Sequence, residues 1–431
     1  MTTARPQTPP ALDPVGVGRT AQIQRRSLGV LSSGQVLGGL AAAGSIPAGS
    51  LIAASVAGSE GAAGLAQTFG VVGAALMALP LARIALTRGR RRSLSTGYAL
   101  GALGAVLVIV GAQQRWLPLI YLGCLLVGVA SAAGLQARYA ATDLALPDHR
   151  ARALSLVVWA STVGAVLGPN LLEVSGRLGL ALGLPQLAGP YVVAAVALGL
   201  AALVLSAFMR PDPYLVSRRL RRDAGHDVRH PRLRDGIDHL RGRPRAVLGI
   251  TAVAIGHVAM VMVMVMTPVH MRHVDVTLQL IGLVISVHVA GMYALSPVVG
   301  WLSDRIGRVP VIAAGVVILL AACLLAGIAP GDDVLLLGIG LFLLGLGWSC
   351  TLVAGSTLLT DQLGEADRPA VQGLSDLVMN TAGALGGIVA GIVVATSSYA
   401  VLCLVAAIPV VALGVATALP ACRAESNRRS G

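Results

Sequence analysis

The sequence predicts an all-α membrane protein in which twelve transmembrane helices form two parallel six-helix halves, with both termini in the cytoplasm. Three observations support this fold class. Hydrophobic residues make up 55% of the 431 residues and charged residues only 12%, which is more apolar surface than a soluble domain can bury. Twelve segments are apolar over the thickness of a bilayer. Matching residues also recur in the two halves of the chain.

The twelve spans follow from the rule that a helix needs about 20 mostly apolar residues to cross the hydrocarbon core. The first six are predicted at 28–57, 61–82, 94–113, 117–140, 153–175 and 188–209. The second six are predicted at 246–269, 277–300, 310–329, 334–358, 370–395 and 399–419. The chain therefore divides into a disordered basic tail, a first half, an arginine-rich linker, a second half and a second tail, at residues 1–27, 28–209, 210–245, 246–419 and 420–431.

The positions of the arginines predict the orientation. With both tails in the cytoplasm, only Arg115, Arg177 and Arg272 face outward, and the remaining arginines lie at or near the inner side. The linker 210–245 is interpreted as a topological anchor and a solvated segment, with contact to anionic lipid as an additional possibility. A nucleic-acid partner is not expected. We expect a multi-pass protein of the inner (plasma) membrane.

An internal repeat relates the two halves. Two parallel repeats place a substrate site near the middle of the membrane, between them. The matching pairs are Thr142-Asp143 with Thr360-Asp361, Arg150 with Arg368, Gly89-Arg90 with Gly307-Arg308, Gly164 with Gly383 and Gly168 with Gly387.

A short charged run separates the eighth and ninth predicted spans. It extends from Gly300 to Arg308 and reads Gly-Trp-Leu-Ser-Asp-Arg-Ile-Gly-Arg. We expect Gly300 to allow close backbone approach, Asp304 and Arg305 to form a charge pair, Gly307 to turn the chain and Arg308 to anchor the next helix. The run resembles the signature loop of the major facilitator superfamily. The resemblance implies a secondary transporter whose two halves rock around a central cavity, with this run as the gating loop.

The first-half copy of this loop has changed. Alignment on Gly89-Arg90 puts Ala82 at the leading glycine and Leu86 at the acidic position. The arginines from Arg83 to Arg92 are interpreted mainly as anchors of the loop. Since Asp304 is the remaining acid of the pair, we expect any charge latch between the eighth and ninth spans.

Gly164, Gly168 and Pro169 lie in the fifth span and resemble the core of a motif found in proton-coupled exporters of the superfamily. Two departures are visible, because Leu172-Glu173 occupies the place of a glycine pair and Ser155 that of an upstream glycine. Ordinary packing of small residues is the alternative interpretation. The resemblance favours export over import.

Ionisable residues inside a membrane are costly and are often functional. Asp376 and Asn380 are four residues apart and share one face of the eleventh span, and Asp376 is the first candidate for a proton carrier. His257 and His288 lie about midway along the seventh and eighth spans and could relay protons or contact an acidic substrate. The alternative for each is a neutral histidine bonded to a facing helix.

Other polar residues complete the predicted proton and substrate pathway. Glu173 with Asn170 could capture protons at the outer end of the fifth span. Gln35, Gln67, Gln136 and Arg138 could hydrogen-bond a substrate or one another, although Arg138 could instead extend to the membrane surface.

The sequence does not predict an enzyme or a metalloprotein. It contains no lysine, so no nucleotide-binding loop of the Gly-rich Lys-Ser/Thr type is possible, and no catalytic triad or zinc spacing appears. We expect no cofactor, with a proton gradient as the driving force, and a small-molecule substrate carried by a monomer. Efflux of small amphipathic molecules is the first expectation. Uptake of a nutrient or organic anion is an alternative, and a non-transporting membrane sensor or scaffold is another.

Overall fold

The computed structural model describes residues 14–58, 60–170, 172–223, 240, 242–272, 274, 276, 278–364 and 368–419. The regular elements in these ranges are all helices. Ten membrane-length apolar segments lie among them, which agrees with the predicted all-helical membrane fold. The first and fifth predicted spans are helical but do not belong to these ten segments.

Within the described ranges, the first half contains seven α-helices and is followed by an eighth. Two of the seven, α5 and α6, together cover the fifth predicted span. The bounds are α1 (Pro14–Ala57), α2 (Glu60–Arg88), α3 (Arg90–Gln113), α4 (Leu117–Ala140), α5 (Arg150–Asn170), α6 (Leu172–Ala181), α7 (Gly189–Phe208) and α8 (Pro213–Asp223).

The described part of the second half also contains seven α-helices. The eighth predicted span is divided into α10 and α11, and Pro297 in the first turn of α11 explains the break, because proline cannot donate a backbone hydrogen bond to the preceding turn. The bounds are α9 (Pro244–Arg272), α10 (Leu278–Tyr293), α11 (Ser296–Ile306), α12 (Arg308–Ile328), α13 (Val334–Gln362), α14 (Arg368–Thr396) and α15 (Tyr399–Ala418).

The described start of the predicted linker is ordered. Residues 213–223 form α8, and Pro213, Tyr214 and Ser217 on this helix are buried. The expectation of a solvated segment is therefore wrong for the buried face of α8. The arginines of α8 make the segment look solvated in the sequence, but one face of a helix can be buried while the other carries charge.

Each half has its own apolar core, and small residues let its helices approach closely. The first core includes Leu31, Leu81 and Leu198, whereas the second includes Leu319 and Leu341. Glycines complete the packing where α2 crosses α4. A Cβ atom on Gly128 would overlap the backbone oxygen of Gly70, so this crossing needs glycine.

We predict that Gly128→Ala destabilises the protein by about 1–3 kcal/mol, because an added methyl group would force α2 and α4 apart. Gly199→Ala on α7 is the matched control, since a Cβ atom there meets nothing within 4 Å. Unfolding midpoints measured in detergent should fall for Gly128→Ala and stay unchanged for Gly199→Ala. Equal midpoints for the two variants would contradict this account of the crossing.

Candidate functional site

Arginines gather at one end of the helix bundle. Helix α2 ends at Arg88, whereas α3, α5, α12 and α14 begin at Arg90, Arg150, Arg308 and Arg368. We call this the arginine-rich end. Polar contacts between the two halves are concentrated here, so the structure is closed at this end.

An ion pair joins the halves about two turns inside the arginine-rich end. Arg138, near the end of α4, donates from Nη2 to Oδ1 of Asp376 on α14 over 2.6 Å. Both side chains are 1% exposed, so Arg138 does not extend to the membrane surface. The guanidinium group also lies 4.6 Å from the centre of the Tyr139 ring. The structure thus brings together two of the predicted pathway residues, one from each half.

The ion pair has hydrogen-bonding capacity that the described residues do not use. Asp376 Oδ2 and the Nε and Nη1 atoms of Arg138 are buried and have no hydrogen-bond partner among these residues. Such groups are costly to bury, and the cost falls when a proton or a polar molecule engages them. The pair can therefore respond chemically to a proton or to a bound molecule.

The two predicted histidines have different partners. The Nδ1 atom of His257 accepts a hydrogen bond from Nε1 of Trp348 over 3.2 Å, and the imidazole lies within electrostatic range of Arg138. The Nδ1 atom of His288 lies 2.8 Å from the backbone oxygen of Leu341, and the side chain is fully buried. His288 thus has the geometry of a histidine bonded to a facing helix, whereas His257 lies near the ion pair.

Asn380 and Gln67 line one cavity. It has a volume of about 130 Å³ between α1, α2, α4 and α7, and Asn380 of the second half is also one of its lining residues. Asn380 also donates to the backbone oxygen of Asp376 over 2.7 Å. Because Asn380 lies one turn beyond Asp376 from the start of α14, the cavity is on the side of the ion pair away from the arginine-rich end.

Two of the predicted glutamines form hydrogen bonds within the first half. Gln35 accepts from the Tyr98 hydroxyl over 3.0 Å and donates to Ser161 over 3.3 Å. Gln136 donates to the backbone oxygen of Ala78 over 2.8 Å. These contacts join helices of the same half, and the partners are not the other predicted pathway residues.

The fifth-span motif is described only in part. A Cβ atom on Gly164 would overlap the backbone of α1 near Val36, so this glycine allows α5 and α1 to approach closely. The remaining predicted residues of this region lie outside the part of the chain that is described in side-chain detail; they are Gly168, Pro169, Asn170 and Glu173.

The predicted gating loop contacts the other half of the protein. Asp304 accepts hydrogen bonds from the backbone N–H groups of Ala151 and Arg152, at 3.2 and 2.9 Å. Its carboxylate therefore caps the start of α5, where the helix dipole and unpaired N–H groups favour negative charge. Arg308 lies 3.1 Å from the same carboxylate. Gly307 turns the chain with φ of +99°, as the sequence predicts.

One expectation about this loop is wrong, and a second is incomplete. Asp304 does not pair with Arg305, because the Arg305 guanidinium lies over the Trp301 ring, 5.1 Å from its centre. The latch also extends beyond the eighth and ninth spans. Its acceptor reaches α5 of the first half, which only the three-dimensional arrangement of the halves could reveal.

A repeated charge network surrounds the latch. Arg90 forms a bidentate pair with Asp143 in the first half, at 2.9 and 3.2 Å. The matching residues of the second half, Arg308 and Asp361, lie 3.1 Å apart. Asp361 also binds Arg150 from the other half over 2.8 Å. Burial raises the pKa of Asp143, and the charges of Arg90 and Arg368 oppose that rise.

Sequence analysis missed the role of this network. The interpretation of Arg90 as a loop anchor is wrong, because its side chain is 1% exposed and also donates to Gln372 of the second half over 2.6 Å. A signal was present, since Asp143, Arg150 and Arg90 all belong to the matched pairs of the internal repeat.

The two halves meet along two related seams. The α5–α11 seam places Gly300 against Ser155, and a Cβ atom on Gly300 would overlap the Ser155 side chain. In the α2–α14 seam, Gly373 of α14 faces Ala82 of α2. The glycine therefore lies on the helix that corresponds to α5, and not on the one that corresponds to α11. A glycine on the facing helix therefore makes room for each of the two sequence departures, Ala82 and Ser155.

The absence of an acid at Leu86 is matched by a change on the facing helix α14. Leu86 matches Asp304 in the repeat, and Pro369 matches Ala151, whose N–H group Asp304 accepts. Proline has no N–H group to donate. The α2–α14 seam thus lacks both the carboxylate and one of its backbone donors.

Comparison with known proteins gives a consistent result. The family profile of the Major Facilitator Superfamily matches residues 31–276 and 247–430. The MFS-type transporter YdeG of Bacillus subtilis is 39% identical over 392 residues, covering 90% of each chain. The riboflavin transporter RfnT of Brucella anthropi is 28% identical over 363 residues, covering 83% of this chain and 86% of RfnT.

A solved structure shows the same fold. The proton:xylose symporter XylE, bound to 6-bromo-6-deoxy-D-glucose, superposes with a TM-score of 0.71 at 16% sequence identity. The alignment covers 92% of this chain and 95% of XylE. At this identity the similarity establishes the fold and not the substrate.

We predict that Asp304→Asn destabilises the closed arginine-rich end by about 2 kcal/mol, because hydrogen bonds to a charged group are replaced by weaker ones. Leu86→Ala, at the matching position of the other seam, is the control. Thermal unfolding in detergent should show a larger decrease of the midpoint for Asp304→Asn. A larger decrease for Leu86→Ala would mean that the latch contributes little.

Proposed function

The chain belongs to the major facilitator superfamily, and from that premise we propose that it is a proton-coupled exporter of small amphipathic molecules. Its relatives are transporters, which confirms the prediction of a membrane transporter rather than an enzyme. They also give no support to the alternative of a membrane sensor. Direction, coupling ion and substrate belong to the proposal.

The observation that carries the proposal is the buried ion pair between Arg138 and Asp376. Its two charges belong to different halves, so opening the arginine-rich end separates them. A single unpaired charge in a low-dielectric interior is strongly unfavourable. Protonation of Asp376 removes one of the charges and weakens the attraction. The pair thus links proton binding to the movement of the halves.

Orientation gives this link a direction. We place the arginine-rich end and both termini in the cytoplasm, with twelve spans crossing the inner membrane, because arginines concentrate on the cytoplasmic side. The structure then corresponds to a state closed toward the cytoplasm. Protons would reach Asp376 through the cavity beside Asn380, and their binding would release the cytoplasmic end. No cofactor is needed, and one chain is sufficient.

Export is favoured by two features. The close approach of α5 to α1 at Gly164 agrees with the exporter-like motif in the fifth span. The second half also places aromatic rings near the ion pair, where Tyr293 and Trp348 pack edge to face with ring centres 5.8 Å apart. Aromatic side chains suit an amphipathic substrate.

Uptake is the second candidate, and the cavity lining favours it. Hydroxyl and amide groups from Ser45, Ser131, Gln67 and Asn380 line the cavity, which suits a polar nutrient. The relative RfnT is named as a riboflavin transporter. An organic anion could also engage the free donors of Arg138.

A transport measurement separates these candidates. Inverted membrane vesicles with an imposed pH gradient would be screened with amphipathic compounds, flavins and organic anions. Export predicts gradient-dependent accumulation inside the inverted vesicles, whereas uptake predicts gradient-dependent loss of preloaded substrate. Transport that is insensitive to the pH gradient and to protonophores would refute proton coupling.

We predict that Asp376→Asn abolishes gradient-driven flux. The single variant also leaves Arg138 buried without a counter-charge, which costs about 3–5 kcal/mol. The double variant Arg138→Gln with Asp376→Asn avoids that cost, and it should reach the membrane in normal amounts yet still lack gradient-driven flux. Gradient-driven flux by an abundant double variant would refute the assignment of Asp376 as the proton carrier.

A further inference from the structure

A second polar pocket lies beside the arginine-rich end, on the first half. It is an open pocket of about 520 Å³, formed by the end of α2, the start of α3, the segment that leads into α8 and α8 itself. Five arginines line it, and Asp212 is its one acidic lining residue. The arginines are Arg88, Arg91, Arg92, Arg210 and Arg219.

Asp212 holds the walls of the pocket together, and its single negative charge does not cancel the charge of the five arginines. Its Oδ2 atom accepts from the backbone N–H of Arg91 over 2.7 Å, and Oδ1 accepts from those of Tyr214 and Leu215 over 3.1 and 3.2 Å. The carboxylate, 8% exposed, thereby fixes α8 to the α2–α3 turn. A Cβ atom on Gly89 would overlap this carboxylate, so glycine is needed at the turn.

The arginines leave a concentration of positive charge at the pocket. Arg91 donates from Nη1 to the backbone oxygen of Ser206 over 3.2 Å. Arg88, Arg92, Arg210 and Arg219 are exposed, and no ion pair involving them is seen within the described ranges. Several like charges around one cavity attract an anion, and guanidinium groups bind phosphate through paired hydrogen bonds.

The surroundings of the pocket indicate where that phosphate comes from. On the last two turns of α7, before Arg210, Leu203 and Phe208 are 64% and 55% exposed. On α8, next to Arg219, Leu220 is also exposed. Apolar side chains that end in a group of arginines are typical of the membrane–water interface. Acyl chains can contact the apolar residues while the headgroup reaches the arginines.

We propose that this pocket binds the phosphate headgroup of an anionic phospholipid. The site is separate from the Arg138–Asp376 pair and does not depend on the direction or the substrate of transport. The proposal gives a definite place to the lipid contact that the sequence suggests for the linker. The start of the linker, which Asp212 holds in position, forms one wall of the pocket.

The test uses the purified full-length protein in detergent with added phosphatidylglycerol or phosphatidylcholine. Native mass spectrometry would count bound lipids, and thermal unfolding would report stabilisation. The pocket variant is Arg92→Gln with Arg210→Gln. The control is Arg26→Gln with Arg222→Gln, which removes the same charge from exposed positions outside the pocket.

We expect phosphatidylglycerol to bind and stabilise the wild-type protein more than phosphatidylcholine does. The pocket variant should bind phosphatidylglycerol about tenfold more weakly, whereas the control variant should bind it like the wild type. Equal loss in both variants, or no preference between the lipids, would overturn the proposal. Equal stabilisation by inorganic phosphate alone would assign the pocket to a soluble anion and also overturn it.

Discussion

Charges that are buried in a poorly polarisable interior must be paired, and at the arginine-rich end part of this pairing runs between the two halves. Arg138 is compensated by Asp376, Arg150 by Asp361, and the start of α5 by Asp304. Each of these contacts joins residues that are far apart in sequence. The closed arrangement of the bundle depends on them, because separating the halves would leave several buried polar groups without partners.

The need to pair buried charges explains why the two seams differ in sequence while the arginine–aspartate pairs of the repeat are kept. The repeat keeps its arginine–aspartate pairs in both halves, since losing one partner of a buried pair is costly. Other positions along the two seams have diverged in compensated ways. Leu86 replaces the latch acid where Pro369 has removed an N–H donor, and Gly373 faces Ala82 where Gly300 faces Ser155. Close packing and donor–acceptor balance therefore limit which departures from the repeat are allowed.

The sequence could predict the helices, the repeat and the gating loop, because hydropathy, spacing and glycine content act locally. It could not predict that Asp304 contacts α5 or that Asp376 meets Arg138, since these partners depend on how the halves dock. Arg90 was interpreted as an anchor because arginine near a membrane end is usually exposed. The helix α8 was missed for a related reason, as its charged face concealed a buried one.

The division of the Arg138–Asp376 charges between the halves has a consequence for leakage. The matching positions in the repeat are Ser356 and Val158, so no second ion pair substitutes when this one breaks. A carrier whose aspartate is ionised must separate opposite charges in order to open, and the electrostatic work of doing so keeps that state rare. On the proposed mechanism, the same pair that responds to a proton would therefore suppress slippage, in which the halves change access without carrying a proton.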